Sequence, residues 1–260
     1  MATRVGNRAE RLGAVRALRT VKGRREQARF AFEGTTLLAE AAAAEFPIAE
    51  LYATESAYDA TPLLRELEAG GTQVFIAGED AAAGLSDVAT PSGVIGVSPA
   101  AFEPLDELLR RPPPLLVLAD LNDPANAGTL LRSADAFGCV GVAFGRAGVD
   151  PYHPKVVRGS MGAIFRLRIA LATPAGLAQA AQDGGVRVLG LAAGGQPISG
   201  EHWQGRQALV VGHERRGLGD WEGACERVLS IPMRGNAESL TAAVAGSIAL
   251  YEATLATRHG

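Results

Sequence analysis

Apolar residues recur along the first hundred positions with two different spacings, and the alternation between them predicts an α/β domain. A basic helix comes first. Short apolar runs predict strands at 30–33, 48–53, 74–77 and 94–97, and helical spacing predicts helices at 35–44, 61–69 and about 80–85. Strands that alternate with helices within so short a stretch predict a small α/β domain over residues 1–100.

A proline-rich break separates this domain from the rest of the chain. Pro104 and three consecutive prolines at 112–114 are unsuited to the interior of a helix or strand, so residues 101–113 are interpreted as a linker. Beyond it, a continuous apolar run at 115–119 is typical of a buried parallel strand. Further strands are predicted at 140–144, 186–192, 208–211 and 228–231, and helices at 129–137, 174–183 and 239–257. This pattern predicts a second α/β domain over residues 114–260, built on a mostly parallel sheet.

The composition is that of a globular protein and excludes several classes. Apolar residues make up 47% of the chain and charged residues 20%. No run of eighteen apolar residues occurs, so neither a membrane-spanning helix nor a membrane partner is expected. Two cysteines and four scattered histidines provide neither a disulfide framework nor metal-ligand spacing, so we expect no metal. Two free thiols favour a cytoplasmic location.

Positive charge is concentrated at the start of the chain. Residues 1–29 hold nine basic residues and two acids, whereas the whole chain carries a formal net charge of −3. The spacing of Arg4, Arg8, Arg11 and Arg19 would place several guanidinium groups on one helix face, which favours contact with a polyanion. A solvated arginine-rich helix remains the alternative.

Three segments carry polar residues where a buried fold does not require them, while glycine-rich nucleotide motifs and the serine nucleophile motif are absent. Each segment follows a predicted strand: residues 119–132, residues 209–218 and residues 229–245. Polar groups after parallel strands are where such sheets bind ligands. Ordinary structural roles are the alternative, since Asn126 and Ser239 could cap helices and the glycines could serve tight turns.

Taken in order, these segments resemble the three motifs of the SpoU family of RNA ribose methyltransferases. The segment Arg158-Gly159-Ser160-Met161-Gly162-Ala163 is similar to another segment of that family. Phe32-Glu33-Gly34 and residues 90–95 resemble the L30e-like RNA-binding domain of its rRNA-modifying members. The resemblance implies a parallel-sheet SPOUT domain with a C-terminal deep trefoil knot, a homodimer, S-adenosylmethionine as the cofactor and RNA as the substrate.

The resemblance also implies the site residues. Asn126, Arg132, Glu214, Ser239 and Thr241 would be catalytic. The cofactor would be bound by Leu191, Ala192, Ala193, Gly195, Gly212, His213, Glu214, Ile231, Met233, Ser239 and Leu240. RNA would be bound by Arg19, Arg24, Arg25, Arg29, Arg132 and Arg158.

Within this set, Arg132 is expected to bind a phosphate and stabilise the developing alkoxide, because a guanidinium stays protonated and is a poor base. Asn126 and Glu214 would orient the arginine and the ribose. The family usually has asparagine where this chain has Thr241, and threonine offers a hydroxyl in place of an amide.

The resemblance therefore implies methylation of a ribose 2′-hydroxyl, with ribosomal RNA as the expected substrate. Two other readings stay open at this point: methylation of tRNA, and a non-catalytic RNA-binding protein with a degenerate methyltransferase domain. Among ribosomal enzymes, a housekeeping role and antibiotic resistance are equally compatible with the domain layout.

Overall fold

The computed structural model describes residues 2–6, 10–112, 114–201, 203–213, 215–236 and 239–257. The chain divides into two compact units. Unit 1 comprises the residues up to Ala101 together with Tyr152–Arg166, and unit 2 comprises Phe102–Pro151 together with the residues from Leu167 onward. Unit 1 thus includes a segment from inside the 114–260 range that the sequence interpretation gave to the second domain, and the chain passes between the units three times.

Unit 1 is built on a five-stranded mixed sheet with the order β1-β4-β3-β5-β2. β1 and β3 run parallel to β4, whereas β2 and β3 run antiparallel to β5. Its strands are β1 (Thr3–Val5), β2 (Arg29–Glu33), β3 (Glu50–Ala53), β4 (Gln73–Ala77) and β5 (Val94–Pro99). Its helices are α1 (Glu10–Ala17), α2 (Val21–Gln27), α3 (Thr35–Ala43), α4 (Glu55–Ala60), α5 (Pro62–Ala69), α6 (Glu79–Ala83) and α9 (Pro154–Gly159).

The prediction of one basic helix with a shared arginine face is wrong. Arg4 lies in β1 and Arg19 lies between α1 and α2, while Arg8 is outside the described residues. The strand was missed because it has only three residues, and its pairing partners Phe75–Ala77 are far away in sequence. Thr20 ends the first helical stretch by accepting the Gly23 amide through its hydroxyl, which is an N-cap for α2.

Unit 2 is built on a six-stranded sheet with the order β11-β9-β10-β6-β7-β8, in which every adjacent pair is parallel. This confirms the predicted parallel α/β class. Its strands are β6 (Leu115–Leu118), β7 (Gly141–Gly145), β8 (Arg168–Ala172), β9 (Arg187–Pro197), β10 (Gln207–Val211) and β11 (Arg227–Ser230). Its helices are α7 (Leu105–Leu109), α8 (Pro124–Ala136), α10 (Pro174–Gly184) and α11 (Ala242–Thr257).

The central strands are apolar because both faces of the sheet are covered. β6, β7 and β10 are buried at every position, as expected for a parallel sheet with helices on its faces. The predicted linker at 101–113 contains α7, with Pro104 at its N-cap, so that stretch is not a structureless connection. The trefoil knot stays a prediction, since strand order alone does not determine how the chain threads.

Helices α8 and α11 pack against each other at close range. A Cβ on Gly246 would lie 2.5 Å from the Leu130 side chain, so glycine permits the approach. The hydroxyls of Ser133 and Ser247 share a hydrogen bond of 2.6 Å. No helix within the described residues combines the length and apolar character needed to cross a bilayer.

Candidate active site

Two strands of unit 2, β6 and β10, end at the same level, and two of the polar segments follow them. Val211, the last residue of β10, pairs with Leu118 of β6 on one side and with Leu191 of β9 on the other. Because all three strands are parallel, the residues that follow them meet at the carboxyl edge of the sheet. The sequence segments around 120, 192 and 212 are therefore brought together.

The predicted cofactor loop at 191–195 is a bulge within β9. Successive residues Val228 and Leu229 of β11 pair with Gly190 and Gln196, so the residues between these partners are displaced from the ladder. A Cβ on Gly195 would lie 2.6 Å from the Val228 carbonyl oxygen, and that approach requires glycine. The bulge thus holds backbone close to β11 while Ala193 is exposed at the edge.

The loop after β10 is closed by its own backbone. The His213 amide donates to the Gly217 carbonyl at 2.8 Å, and the Gly217 amide donates back at 2.9 Å. Gly217 has φ +61°, which favours glycine. Gly212 is needed for contact, because a Cβ there would lie 2.4 Å from the Gly217 carbonyl carbon. Glu214, predicted to be catalytic and to bind the cofactor, lies outside the described residues.

The His213 ring connects this loop to the loop after β6. Its Nδ1 accepts the Arg215 amide at 3.0 Å, and its Nε2 lies 3.0 Å from the Asn122 side-chain amide. The hydrogen-bond roles of Nε2 and the Asn122 Nδ2 depend on the tautomer of the ring. His213 therefore positions two loops of the site.

Asp120 fixes a third connection that sequence reasoning missed. Its carboxylate accepts the Trp221 indole N–H at 2.8 Å through Oδ2 and the Ala147 amide at 3.2 Å through Oδ1. The residue has φ +53°, an uncommon conformation for a non-glycine residue. A Cβ on Gly145 would lie 2.2 Å from Oδ1, so the carboxylate occupies the space beside a glycine. The resemblance gave no role to Asp120, and its partner Trp221 lies far along the chain.

Two helix starts complete the site. Asp123 caps α8 by accepting the Ala125 amide at 2.9 Å, which places Asn126 in the first turn. Thr241 precedes α11 and accepts the Val244 amide at 3.3 Å, so the hydroxyl that replaces the family asparagine serves as an N-cap. Leu130 and Gly246 are in contact, and Asn126 and Ala242 lie one turn before them on the two helices.

Arg132 lies exposed on α8, and within the described residues it forms no ion pair. Ser239 is exposed before α11. Other cofactor candidates near the edge are partly or fully exposed: Ala192, Ile231, Met233 and Leu240. No cluster of His, Cys, Asp and Glu suited to a metal ion is found among the described residues.

The six predicted RNA-binding arginines fall into three groups. Arg19 and Arg25 are exposed, as is Arg132. Arg29 lies 3.2 Å from Glu50 in an ion pair, and Arg158 pairs with Asp87. Arg24 is 3% exposed and donates to the Leu18 carbonyl at 2.8 Å, so this arrangement offers almost none of its side chain to RNA. Its charge lies inside unit 1 because the side of α2 that carries Gly23 and Arg24 is buried.

Two family matches cover most of the chain. Residues 113–251 match the SpoU rRNA Methylase family, and residues 10–96 match the MRM3-like substrate binding domain. The enzyme RlmP of Bacillus subtilis, a 23S rRNA (guanosine(2553)-2'-O)-methyltransferase, is 29% identical over 90% of this chain and 92% of its own length. Ribosomal RNA small subunit methyltransferase G 2 of Syntrophobacter fumaroxidans is 34% identical over 60% of this chain, but the match spans 34% of that protein. Several mycobacterial relatives are likewise matched over about half of their length.

Solved structures with the same fold extend over almost the entire chain. An AdoMet-bound rRNA methyltransferase from Sinorhizobium meliloti has a TM-score of 0.87 at 26% identity, covering 99% of this chain and 98% of that one. The SpoU methyltransferase AviRb from Streptomyces viridochromogenes, in complex with AdoMet, has a TM-score of 0.86 at 27% identity, covering 97% of this chain and 100% of that one.

Proposed function

Because the chain belongs to the SpoU rRNA methylase family, we propose that it transfers a methyl group from S-adenosylmethionine to a ribose 2′-hydroxyl of ribosomal RNA. The observation that carries the proposal is that two motif segments, after Leu118 and Val211, and the β9 bulge after Leu191 lie at one edge of the parallel sheet. The substrate follows from the rRNA-directed relative that aligns over nearly its full length.

The chemistry of the carboxyl edge supports binding of the cofactor there. The bulge at Ala193 presents backbone with little side chain in the way, and glycine at 195 and 212 allows close backbone approach. Exposed Met233 and Leu240 supply apolar surface. Backbone amides and carbonyls can read an adenine edge, and apolar side chains can cover its faces. Bound S-adenosylmethionine supplies a methyl group made electrophilic by its sulfonium.

Arg132 is proposed to act on the ribose oxygen. Its guanidinium is permanently protonated and, among the described residues, not neutralised by a carboxylate, so it can hold an RNA phosphate and stabilise negative charge as the 2′-oxygen loses its proton. Asn126, one and a half turns earlier on α8, would orient the ribose by hydrogen bonds. Glu214 and Ser239 keep the roles that the resemblance implies.

Methyl transfer tests the proposal directly. Labelled S-adenosylmethionine is incubated with unmodified bacterial rRNA transcripts, and the digested RNA is examined by mass spectrometry for a 2′-O-methylated nucleotide. Arg132→Ala should lower the rate by about 10²–10³-fold, the loss typical of removing a donor that stabilises developing charge. Arg132→Lys tests geometry, since an ammonium lacks the planar fork.

The matched control is Arg206→Ala, which removes an exposed arginine of the same unit at the start of β10. It should leave the rate unchanged. Wild-type protein that binds S-adenosylmethionine but methylates no rRNA would contradict the proposal and favour a non-catalytic RNA-binding protein. Transfer to tRNA alone would change the substrate and keep the reaction.

A homodimer is part of the proposal. The helix α11 carries no charged residue before Glu252, yet Val244 and Tyr251, two turns apart, are 46% and 49% exposed. An exposed apolar helix face of this kind is typical of a subunit interface. Light scattering should report a dimer for the wild type and a monomer for Tyr251→Lys, whereas a wild-type monomer would contradict this part.

We also place the activity in the cytoplasm. The cysteines Cys139 and Cys225 are both free thiols, which suits a reducing compartment. Ribosomal RNA is available there to a methylating enzyme. Secretion of the active protein into an oxidising compartment would contradict this assignment.

A further inference from the structure

Arginines at the amino edge of the six-stranded sheet are neutralised. Arg168 begins β8 and lies 2.6 Å from Glu103. Arg187 begins β9 and lies 2.8 Å from Glu201, a carboxylate that also lies 3.7 Å from Arg227 at the start of β11. The Glu201 side chain is 1% exposed. Hydrogen bonds to carboxylates raise the pKa of Arg187 against the opposing effect of burial. These three arginines, which begin β8, β9 and β11, therefore offer little unbalanced positive charge to an outside ligand.

Four arginines at the carboxyl edge, in contrast to those of the amino edge, are not neutralised by carboxylates among the described residues. Arg146 follows β7 directly, Arg215 and Arg216 lie in the loop after β10, and Arg234 follows β11. All four are exposed. In the part of the chain that the structure describes, none of them forms an ion pair. We call these four residues the carboxyl-edge arginines.

The backbone beneath Arg215 and Arg216 is held in place. The two hydrogen bonds between His213 and Gly217 close the loop, and the Arg215 amide donates to the His213 ring at 3.0 Å. Asn122 holds the other side of that ring. These bonds tie the Arg215 backbone to the end of β10, which lowers the conformational entropy lost when this arginine binds a ligand.

Among the described residues, two carboxylates of the loop after β6 are committed to other partners. Asp120 accepts from the Trp221 indole and the Ala147 amide, and Asp123 accepts the Ala125 amide as a helix cap. A carboxylate engaged by backbone and indole donors is less available to neutralise an arginine. The positive charge at this edge is thus left for an external anion.

We infer that the carboxyl-edge arginines bind phosphates of the RNA backbone, with Arg215 and Arg216 as the central pair. A guanidinium presents a planar fork that matches two phosphate oxygens, and guanidiniums next to the motif loops would hold a strand beside the methyl-transfer site. This inference rests on the proposed function in taking RNA as the ligand, and it assigns the contact to unit 2 in addition to the basic residues of unit 1.

The test is the salt dependence of RNA binding. The probe is a fluorescent, unmodified 23S rRNA transcript, titrated with the full chain over a range of KCl concentrations. Each phosphate contact contributes about 0.7–0.9 to the slope of log affinity against log salt concentration. Arg215→Ala/Arg216→Ala should lower the magnitude of that slope by about 1.4–1.8. Arg146→Ala and Arg234→Ala should each lower it by about 0.7–0.9.

The matched control carries the same change in charge. Arg206 and Arg110 are exposed and lie before β10 and β6, on the amino side of the sheet, and Arg110 pairs with Asp106 at 2.9 Å. Arg110→Ala/Arg206→Ala should leave the slope unchanged. A thermal unfolding transition close to that of the wild type, measured for each variant, separates lost contacts from lost folding. If Arg215→Ala/Arg216→Ala does not fold, the single variants Arg146→Ala and Arg234→Ala still test the salt dependence.

The outcomes separate this inference from the proposed function. A slope that is equal in the wild type, the carboxyl-edge variants and the control overturns the inference, even if the wild type methylates rRNA. A reduced slope in the carboxyl-edge variants alone supports it, even if the wild type transfers no methyl group, in which case the proposed reaction fails while the RNA contact stands.

Discussion

The two sheets of this protein differ in where their strands end. In unit 2 every strand runs the same way, so all the loops after the strands gather at one edge. In unit 1, β2 and β3 run against β5, so the ends of neighbouring strands fall at opposite edges. A parallel sheet therefore concentrates polar residues from distant parts of the sequence, and the mixed sheet separates them.

The ionisable groups follow that difference. In unit 1, Glu50 lies 3.2 Å from both Arg11 and Arg29, and the Tyr52 hydroxyl donates to it at 2.5 Å. Burial, together with the neighbouring Glu50, raises the pKa of Tyr52 well above its usual value. These charges satisfy one another, whereas Arg132 and the carboxyl-edge arginines of unit 2 do not have such partners among the described residues. The comparison indicates that internal pairing stabilises the Glu50 cluster of unit 1, while unpaired charge equips the carboxyl edge of unit 2 for binding.

The largest expected effect comes from breaking the carboxyl edge itself. Gly212→Ala would place a Cβ 2.4 Å from the Gly217 carbonyl carbon, so the loop must open. We expect a loss of about 1–3 kcal/mol in the free energy of unfolding, as for other overpacked sites. Because the same loop is proposed to line the cofactor site, affinity for S-adenosylmethionine should fall roughly tenfold or more, or about 1.4 kcal/mol.

The control for that change is Gly223→Ala, where a Cβ would meet no atom within 4 Å. It should leave the free energy of unfolding unchanged in urea unfolding, and the affinity for S-adenosylmethionine unchanged in calorimetric titration. Normal cofactor binding by Gly212→Ala would show that the loop after β10 does not shape the site.

The converse change disturbs unit 1 and should spare the site. Glu50→Gln removes the charge shared by Arg11 and Arg29 and should lower the free energy of unfolding by about 1–2 kcal/mol, a value reduced because both arginines are substantially exposed. Affinity for S-adenosylmethionine should not change. Glu66→Gln, an exposed carboxylate of the same unit, is the control. Equal stability of the two variants in urea would refute the structural role of Glu50.

A pH effect comes from a buried thiol away from the proposed site. Burial raises the pKa of Cys139 to about 12. The unfolded thiol ionises near pH 8.5, so the unfolded chain releases a proton that the folded chain keeps, and stability falls as pH rises above about 8.5. The loss should reach about 1.4 kcal/mol at pH 9.5. Urea unfolding measures the free energy of unfolding at pH 7.5 and 9.5, and its decrease between these pH values should be smaller for Cys139→Ala than for the wild type. Equal decreases would count against a raised pKa of the Cys139 thiol.

The smallest effect concerns the helix start at the carboxyl edge. Thr241→Ala removes the hydroxyl that caps α11 and should cost about 1 kcal/mol, whereas Thr241→Asn should retain the cap and match the family pattern. Thermal unfolding of both variants measures the difference. If asparagine were as destabilising as alanine, the hydroxyl would have a role other than capping.

Much of the fold could be predicted from local pattern. The run at 115–119 became β6, and the helix predicted at 174–183 became α10 at Pro174–Gly184. Such elements were predictable because the spacing of apolar residues can be read from neighbouring positions in the sequence, without knowledge of tertiary contacts. β8 (Arg168–Ala172) and α7 were missed, since the first begins with a charged residue and the second lies between prolines. The candidate site came from the order of the motifs rather than from spacing.

The sequence by itself determined where most strands and helices form and which family motifs the chain carries, because both are written in neighbouring residues. Only the tertiary structure decided which charges are available. Arg24 was predicted to meet RNA and is buried, while Arg168 is neutralised by Glu103, far from it along the chain. The same holds for Asp120, whose partner Trp221 follows a different strand. The physical reason is that an ion pair or hydrogen bond depends on distance in space, which the spacing of residues along the chain does not reveal.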